Sequence, residues 1–129
     1  MAEFKGKYLS LTTFRKDGTP VATPVWFVAE NGTLLVETDA DSYKVRRIRR
    51  NSRVEIAICT STGKLLGGPV AAQAELLPDD ERPRVERLMA RKYRVDRILV
   101  LPVYRLVQRL RGKAPRGGGR PVIVSITPN

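Results

Sequence analysis

The chain has 129 residues, with 24 lysines and arginines against 13 acidic residues and a formal net charge of +11. Such a length suggests one domain spanning residues 1–129, and 42% hydrophobic residues exclude a low-complexity disordered chain. The positive excess points to an anionic partner: nucleic acid, an acidic membrane surface or a polyanionic small molecule. The chain has no histidine, which excludes Ser-His-Asp and Cys-His triads, His-based zinc sites and a histidine acid or base. Its one cysteine, Cys59, excludes an intrachain disulfide and a cysteine-cluster metal site, and fits a reducing cytoplasm. No apolar run approaches the roughly 18–20 residues of a membrane span, so no integral membrane association is expected. Chemistry in this chain therefore falls to a cofactor, or to Lys, Arg, Tyr, Ser, Thr and carboxylates.

In chain order, Tyr8 to Phe14 reads as a first strand, followed by the tight-turn pair Asp17-Gly18. Val21 to Val28 reads as a second strand containing Pro24, which places it at an edge, a bulge or a ligand approach. Asn31-Gly32 makes a second hairpin turn into Thr33 to Thr38, giving a meander. Asp39 to Ser42 supplies helix-capping side chains for a short helix, Tyr43 to Arg50, with a narrow apolar stripe of Val45 and Ile48. Arg53 to Thr60 alternates again, and Lys64 to Leu66 and Pro69 to Leu77 read as further strands around Gly67-Gly68. Pro78-Asp79-Asp80 opens a helix from about Glu81 to Tyr93, with Val85, Leu88 and Met89 on its buried face. Leu106, Val107 and Leu110 mark another helix after Pro102, Gly112 to Gly119 a basic glycine-rich loop, and Val122 to Ile126 a last strand. The expected architecture is mainly antiparallel β, closed into a small barrel with a few peripheral helices.

The segment from Thr38 to Arg47 carries the strongest chemical signal. A strand ends, small polar residues turn the chain, and a basic helix begins, whose free N–H groups and positive dipole end favour an anion. Thr38 and Ser42 add hydroxyls and Lys44 a full charge, which together make a one-phosphate cradle. The plainer reading is a capped surface helix with solvated Lys and Arg. Pro24-Val25-Trp26-Phe27 holds the only tryptophan; a planar ligand would lie against such backbone, or the aromatics simply pack as barrel or dimer core. Cys59 has no activating neighbour and reads as a small strand residue. Gly67-Gly68 reads as a bend, and Gly117-Gly118-Gly119 lacks the Lys-Ser/Thr of a phosphate loop.

The ordered set Leu11-Thr12-Thr13-Phe14, Asp17-Gly18-Thr19-Pro20, Pro24-Val25-Trp26-Phe27, Asn31-Gly32-Thr33-Leu34, Thr38-Asp39, Ser42-Tyr43-Lys44-Val45-Arg46-Arg47-Ile48, Asn51-Ser52-Arg53-Val54 and Gly67-Gly68-Pro69-Val70 resembles the pyridoxamine-phosphate-oxidase-like, FMN-binding-like split β-barrels. Within them it resembles the F420-dependent oxidoreductase branch of actinobacteria. The likeness runs from about residue 5 to residue 77 and continues more loosely through Arg91-Lys92-Tyr93. The resemblance implies a homodimer with cofactor grooves at the subunit interface. The implied cofactor is the deazaflavin F420, with FMN as the alternative. It places Thr38, Ser42 and Lys44 on the phosphate, with Arg46 and Arg47 as further candidates. It sets the tricycle near Pro24, Val25 and Trp26, with Ala57 and Cys59 facing the same groove. The implied reaction is hydride transfer from reduced F420 to an unsaturated small-molecule acceptor, the ring carrying the redox chemistry.

F420 has a phosphodiester and a tail of glutamates, whereas FMN carries only a phosphate. Lys5, Lys7, Arg15, Lys16 and the Arg46 to Arg50 cluster are candidates for lining a groove for that tail. A nucleic-acid-binding module is disfavoured: the basic residues are spread over several segments, few aromatics interleave with them, and no recognition motif is present. The basic amphipathic stretch Tyr104 to Arg111 is either a membrane-surface contact or a helix packed on the barrel. No residue is assigned as a proton donor; Tyr43, Tyr93 and Tyr104 are the side chains to test.

Overall fold

A computed structural model describes residues 4–93 and 120–129. Its elements are β1 (Tyr8–Phe14), β2 (Pro20–Trp26), β3 (Val28–Glu30), β4 (Thr33–Asp39), α1 (Tyr43–Arg50), β5 (Arg53–Cys59), β6 (Val70–Leu76), a 3-10 turn (Asp79–Glu81), α2 (Arg82–Lys92) and β7 (Pro121–Pro128). The seven strands form one antiparallel sheet in the order β2-β1-β5-β6-β7-β4-β3. Its two edge strands, β2 and β3, are separated in the chain by Phe27 alone. One intervening residue lets Trp26 and Val28 lie at most about 7 Å apart. Seven strands laid flat would put the edges about 29 Å apart at a spacing of about 4.8 Å. The sheet must therefore curl until its edges nearly meet, which is the expected barrel, split along the line where β2 leaves β4.

The expected single strand from Val21 to Val28 is accordingly cut in two. Its first part pairs with β1, through registers such as Leu9↔Val25 and Thr13↔Val21. Its second part pairs with β4, through Val28↔Leu35 and Glu30↔Thr33. The expected strand at Lys64 to Leu66 reduces to an isolated bridge between Cys59 and Leu65, because Gly67 and Gly68 follow before any ladder forms. The expected helix after Pro102, the glycine-rich loop, Tyr104 and the stretch Tyr104 to Arg111 lie outside the described residues.

Local chemistry accounts for the turns. At Asn31-Gly32 both residues have positive φ, 51° and 79°, the backbone that a two-residue hairpin loop needs. At the first turn the Asp17 carboxylate accepts the Thr19 N–H at 2.9 Å, and hydrogen bonding from the Thr19 side chain, then from this N–H, holds its pKa below the usual carboxylate value.

Alternation along the strands sorts two apolar clusters. Leu9, Leu11, Leu34, Val36, Val54, Ile56, Ala72, Ala74, Val124 and Ile126 fill the barrel with Phe27, and Ile48 of α1 joins them. Val28, Leu35 and Ile123 point the other way and take Val85, Met89 and Tyr93 from α2 and its end. One helix thus reaches into the barrel core while the other packs outside. Among the described residues no helix is long and apolar enough to cross a membrane.

Candidate functional site

Ser42 caps α1, its hydroxyl oxygen accepting the Val45 N–H at 3.3 Å. Val45 and Ile48 are buried, so the helix lies with its apolar stripe inward and its start beside the end of β4. Arg47 donates to the Thr13 hydroxyl at 3.3 Å and Arg50 to the Phe14 carbonyl at 3.2 Å. These bonds tie the basic flank of α1 to β1.

The placement opens a cleft of about 480 Å³ along the split, within the usual size of a small-molecule site. Val21 and Thr23 of β2 line one lip, Thr38 and Asp39 of β4 the other, and Asp41, Ser42, Tyr43, Lys44, Arg46 and Arg47 its mouth. The cradle residues Thr38, Ser42, Lys44, Arg46 and Arg47 thus converge on one cavity. The Ser42 oxygen is used as an acceptor by the cap, which leaves its hydroxyl proton to donate. Burial pulls the Lys44 ammonium below its ordinary pKa, Asp39 partly restores it and Arg47 opposes it further. An anion beside Lys44 would favour its charged form.

A second basic groove of about 490 Å³ adjoins the first, lined by Arg15, Lys16, Tyr43, Arg46, Arg47 and Arg50. Among the described residues no carboxylate lines it. Arg46, Arg47 and Tyr43 belong to both cavities. The Tyr43 ring is 58% exposed, with the Arg46 and Arg47 guanidinium carbons 5.7 and 5.9 Å from its centroid. Of the candidate tail residues, Lys5, Lys7 and Arg49 do not line this groove.

The other five singled-out residues do not line the cleft. The registers Pro24↔Ser10↔Ala57 and Trp26↔Tyr8↔Cys59 put Pro24, Trp26, Ala57 and Cys59 on one face of β2-β1-β5. That face is opposite Leu9 and Leu11, hence outside the barrel core. Ala57 and Cys59 are buried there, and burial pushes the Cys59 thiol pKa up. Pro24 is exposed and Trp26 half-buried. The Val25 side chain is on the inner face, packed against the core.

A junction that sequence reasoning did not anticipate holds the split. Phe27 lies between two ladders, and its backbone groups are met by side chains instead. The Phe27 N–H donates to the Tyr93 phenol oxygen at 3.0 Å, and that oxygen sits 2.7 Å from the Phe27 carbonyl and 2.6 Å from the Lys7 carbonyl. Lys92 donates to the Phe27 carbonyl at 2.8 Å, its ammonium 3.6 Å from the centroid of the Phe27 ring. Tyr93 also stacks on Trp26, with ring centroids 4.5 Å apart and planes 3° from parallel. Tyr93 is buried and does not line the cleft, and its hydroxyl is engaged by the backbone of Phe27 and Lys7. The contact spans 66 residues of sequence, and no local pattern announces it.

Comparison with known proteins follows the fold. The family model described as pyridoxamine 5′-phosphate oxidase matches residues 2–116. An F420 reductase structure is 20% identical with a TM-score of 0.61, covering 95% of this chain and 86% of that one. An FAD-binding protein from Mesorhizobium loti is 17% identical, with a TM-score of 0.60 over 96% of this chain and 80% of that chain. The heme storage protein HutZ from Vibrio cholerae is 17% identical, with a TM-score of 0.57 over 95% of this chain and 82% of that chain. At these identities the structures share the fold. No curated protein sequence matches the chain.

Proposed function

As this chain belongs to the pyridoxamine 5′-phosphate oxidase family, we propose that it is an F420-dependent reductase that passes a hydride from the reduced deazaflavin to an unsaturated organic acceptor. The observation that carries this reading is the pair of adjoining cavities, one that brings together Thr38, Ser42, Lys44, Arg46 and Arg47, the next lined, among the described residues, by five cations and Tyr43. The donor set suits a phosphate that continues into a polycarboxylate. FMN would leave the second groove without a charged partner. An F420 reductase shares the fold, as does an FAD-binding protein.

Bound here, F420 supplies hydride transfer; the chain supplies binding and orientation. Ser42 and Thr38 donate hydroxyl hydrogen bonds to the phosphate, and Lys44 adds a charge-assisted one. Arg15, Lys16 and Arg50 extend positive potential along the tail. The tricycle would be held along β2, where exposed Pro24 and half-buried Trp26 are the accessible members of the outer face. The Phe27 junction fixes the end of that strand. In this reading the protein is a cytoplasmic homodimer that places the cofactor at the interface.

The test is a fluorescence titration of purified protein with F420 and with FMN. Saturable F420 binding tighter than FMN binding, weakening as salt rises, is expected. Tight FMN binding with no preference for F420 would sink the reductase reading in favour of an FMN-binding protein of the same fold.

A further inference from the structure

The two cavities differ in one respect that the cradle does not explain. The phosphate cleft contains two carboxylates, Asp39 and Asp41, among its cations. Among the described residues the adjoining groove contains none. Asp39 ends β4, opposite Pro121 in the register, and its carbonyl accepts the Ser42 N–H at 3.0 Å. Both aspartates are exposed, and among the described residues neither is engaged in an ion pair. They are therefore negative charges not held in close ion pairs among the described residues, beside a cavity otherwise suited to an anion, with Asp39 near enough to Lys44 to favour its charged form.

Among the described residues the formal balance in the cleft is three cations, Lys44, Arg46 and Arg47, against these two carboxylates. The β2 lip contributes only uncharged Val21 and Thr23. A phosphodiester carries one negative charge. A phosphomonoester carries about 1.5 to 2 at pH 7, its second ionisation falling near pH ~6. Coulomb energy is linear in ligand charge, so each aspartate penalises the fully ionised monoester twice as much as the diester.

We infer that Asp39 and Asp41 are specificity-determining residues that cut back the advantage which the cations of the cleft would otherwise give a doubly charged phosphomonoester over a singly charged phosphodiester. This rests on the F420 reading above and deepens it. The anionic partner is selected by how its charge is distributed: one charge in the mixed cleft, several in the cationic groove. The aspartates act directly on the ligand phosphate and take no part in hydride transfer.

The signature is quantitative. For the phosphate charge alone, with the tail carboxylates farther away and screened by salt, removal of one aspartate charge that raises the affinity for F420 k-fold raises the affinity for FMN k²-fold at pH 8. For charges about 6 Å apart in a water-like medium, k is roughly 3, so Asp39→Asn should gain about 3-fold for F420 and about 10-fold for FMN. At pH 5.5 both phosphates carry close to one charge, and the two gains should converge. Asp41→Asn should act in the same direction, and serves as the second variant should Asp39→Asn disturb the turn before α1. Unchanged melting temperatures establish that each variant is folded.

The probes are F420 and FMN, read as dissociation constants by fluorescence with the full chain at both pH values. A larger gain for FMN at pH 8 that disappears at pH 5.5 is the expected result. Equal gains for both ligands at pH 8, or no gain for either, in folded Asp39→Asn and Asp41→Asn would overturn the inference while leaving the F420 reading intact. A parent protein that fails to prefer F420 would overturn that reading first, and with it this inference.

Discussion

The Phe27 junction makes a sharp prediction, because one phenol oxygen serves the backbone of the residue where the barrel splits. Tyr93→Phe removes that oxygen and nothing else; the ring still fills its buried place and still stacks on Trp26. Among the described residues, the backbone N–H and carbonyl of Phe27 and the carbonyl of Lys7 touch the lost oxygen. The Lys7 carbonyl belongs to an exposed residue and regains water. The Phe27 carbonyl keeps the Lys92 ammonium at 2.8 Å. The Phe27 N–H, in a residue with no exposed surface, is left unmatched. A buried donor deprived of its acceptor costs about 1–3 kcal/mol. Taking about 2 kcal/mol, and about 3–5 °C per kcal/mol for a domain of this size, the melting temperature should fall by about 6–10 °C. Lys92→Met should cost less, since Tyr93 still meets the Phe27 carbonyl. The double variant should lose more than the sum of the two, because each group covers for the other. Thermal melts followed by circular dichroism read all three. A Tyr93→Phe protein that melts within about 1 °C of the parent would refute the assignment of this phenol as the partner of the Phe27 backbone.

The second groove and the pH behaviour of Lys44 are tested by ligand binding. Replacing both Arg15 and Lys16 by Ala should weaken F420 by about 3- to 10-fold at low salt and leave FMN within 2-fold, as expected for partly screened charges; titration of both ligands checks it. Lys44 has a lowered pKa in the free protein because of burial, and a bound anion raises it again. Affinity for the anionic ligand should therefore be full below the free-state pKa and decline as pH rises through it, seen as proton uptake on binding in calorimetry above neutral pH. Ligand affinity that stays flat through the alkaline range would contradict that linkage.

Most of the architecture was legible because hydrophobic alternation and turn chemistry are local. Asn31-Gly32, Asp17-Gly18 and the Ser42 cap sit where their backbone preferences require. What was not legible is long-range. Pro24 signalled an edge strand, yet nothing in residues 21–28 marks Phe27 as the point where pairing changes from β1 to β4. That point is set by closure of seven strands, not by propensity. The same limit applies to the site. The cradle from Thr38 to Arg47 is nearly contiguous in sequence, so helix-start chemistry revealed it. The opposing lip, Val21 and Thr23, comes from a strand with ordinary β residues and is known only from the curl of the sheet. Period-two alternation decided the ring-wall candidates in part, because it separates Val25 from Pro24 and Trp26 onto opposite faces.

The central claim is that the cleft beside Lys44 binds the phosphate of an anionic cofactor. It is tested most directly by the dissociation constant of F420 for the parent and for Lys44→Ala under identical salt and pH. Losing one charge-assisted contact should cost about 1.5–3 kcal/mol, a weakening of about 10- to 150-fold, with the variant still folded. Equal affinity of the two proteins for F420 would place the cofactor phosphate elsewhere and contradict the account.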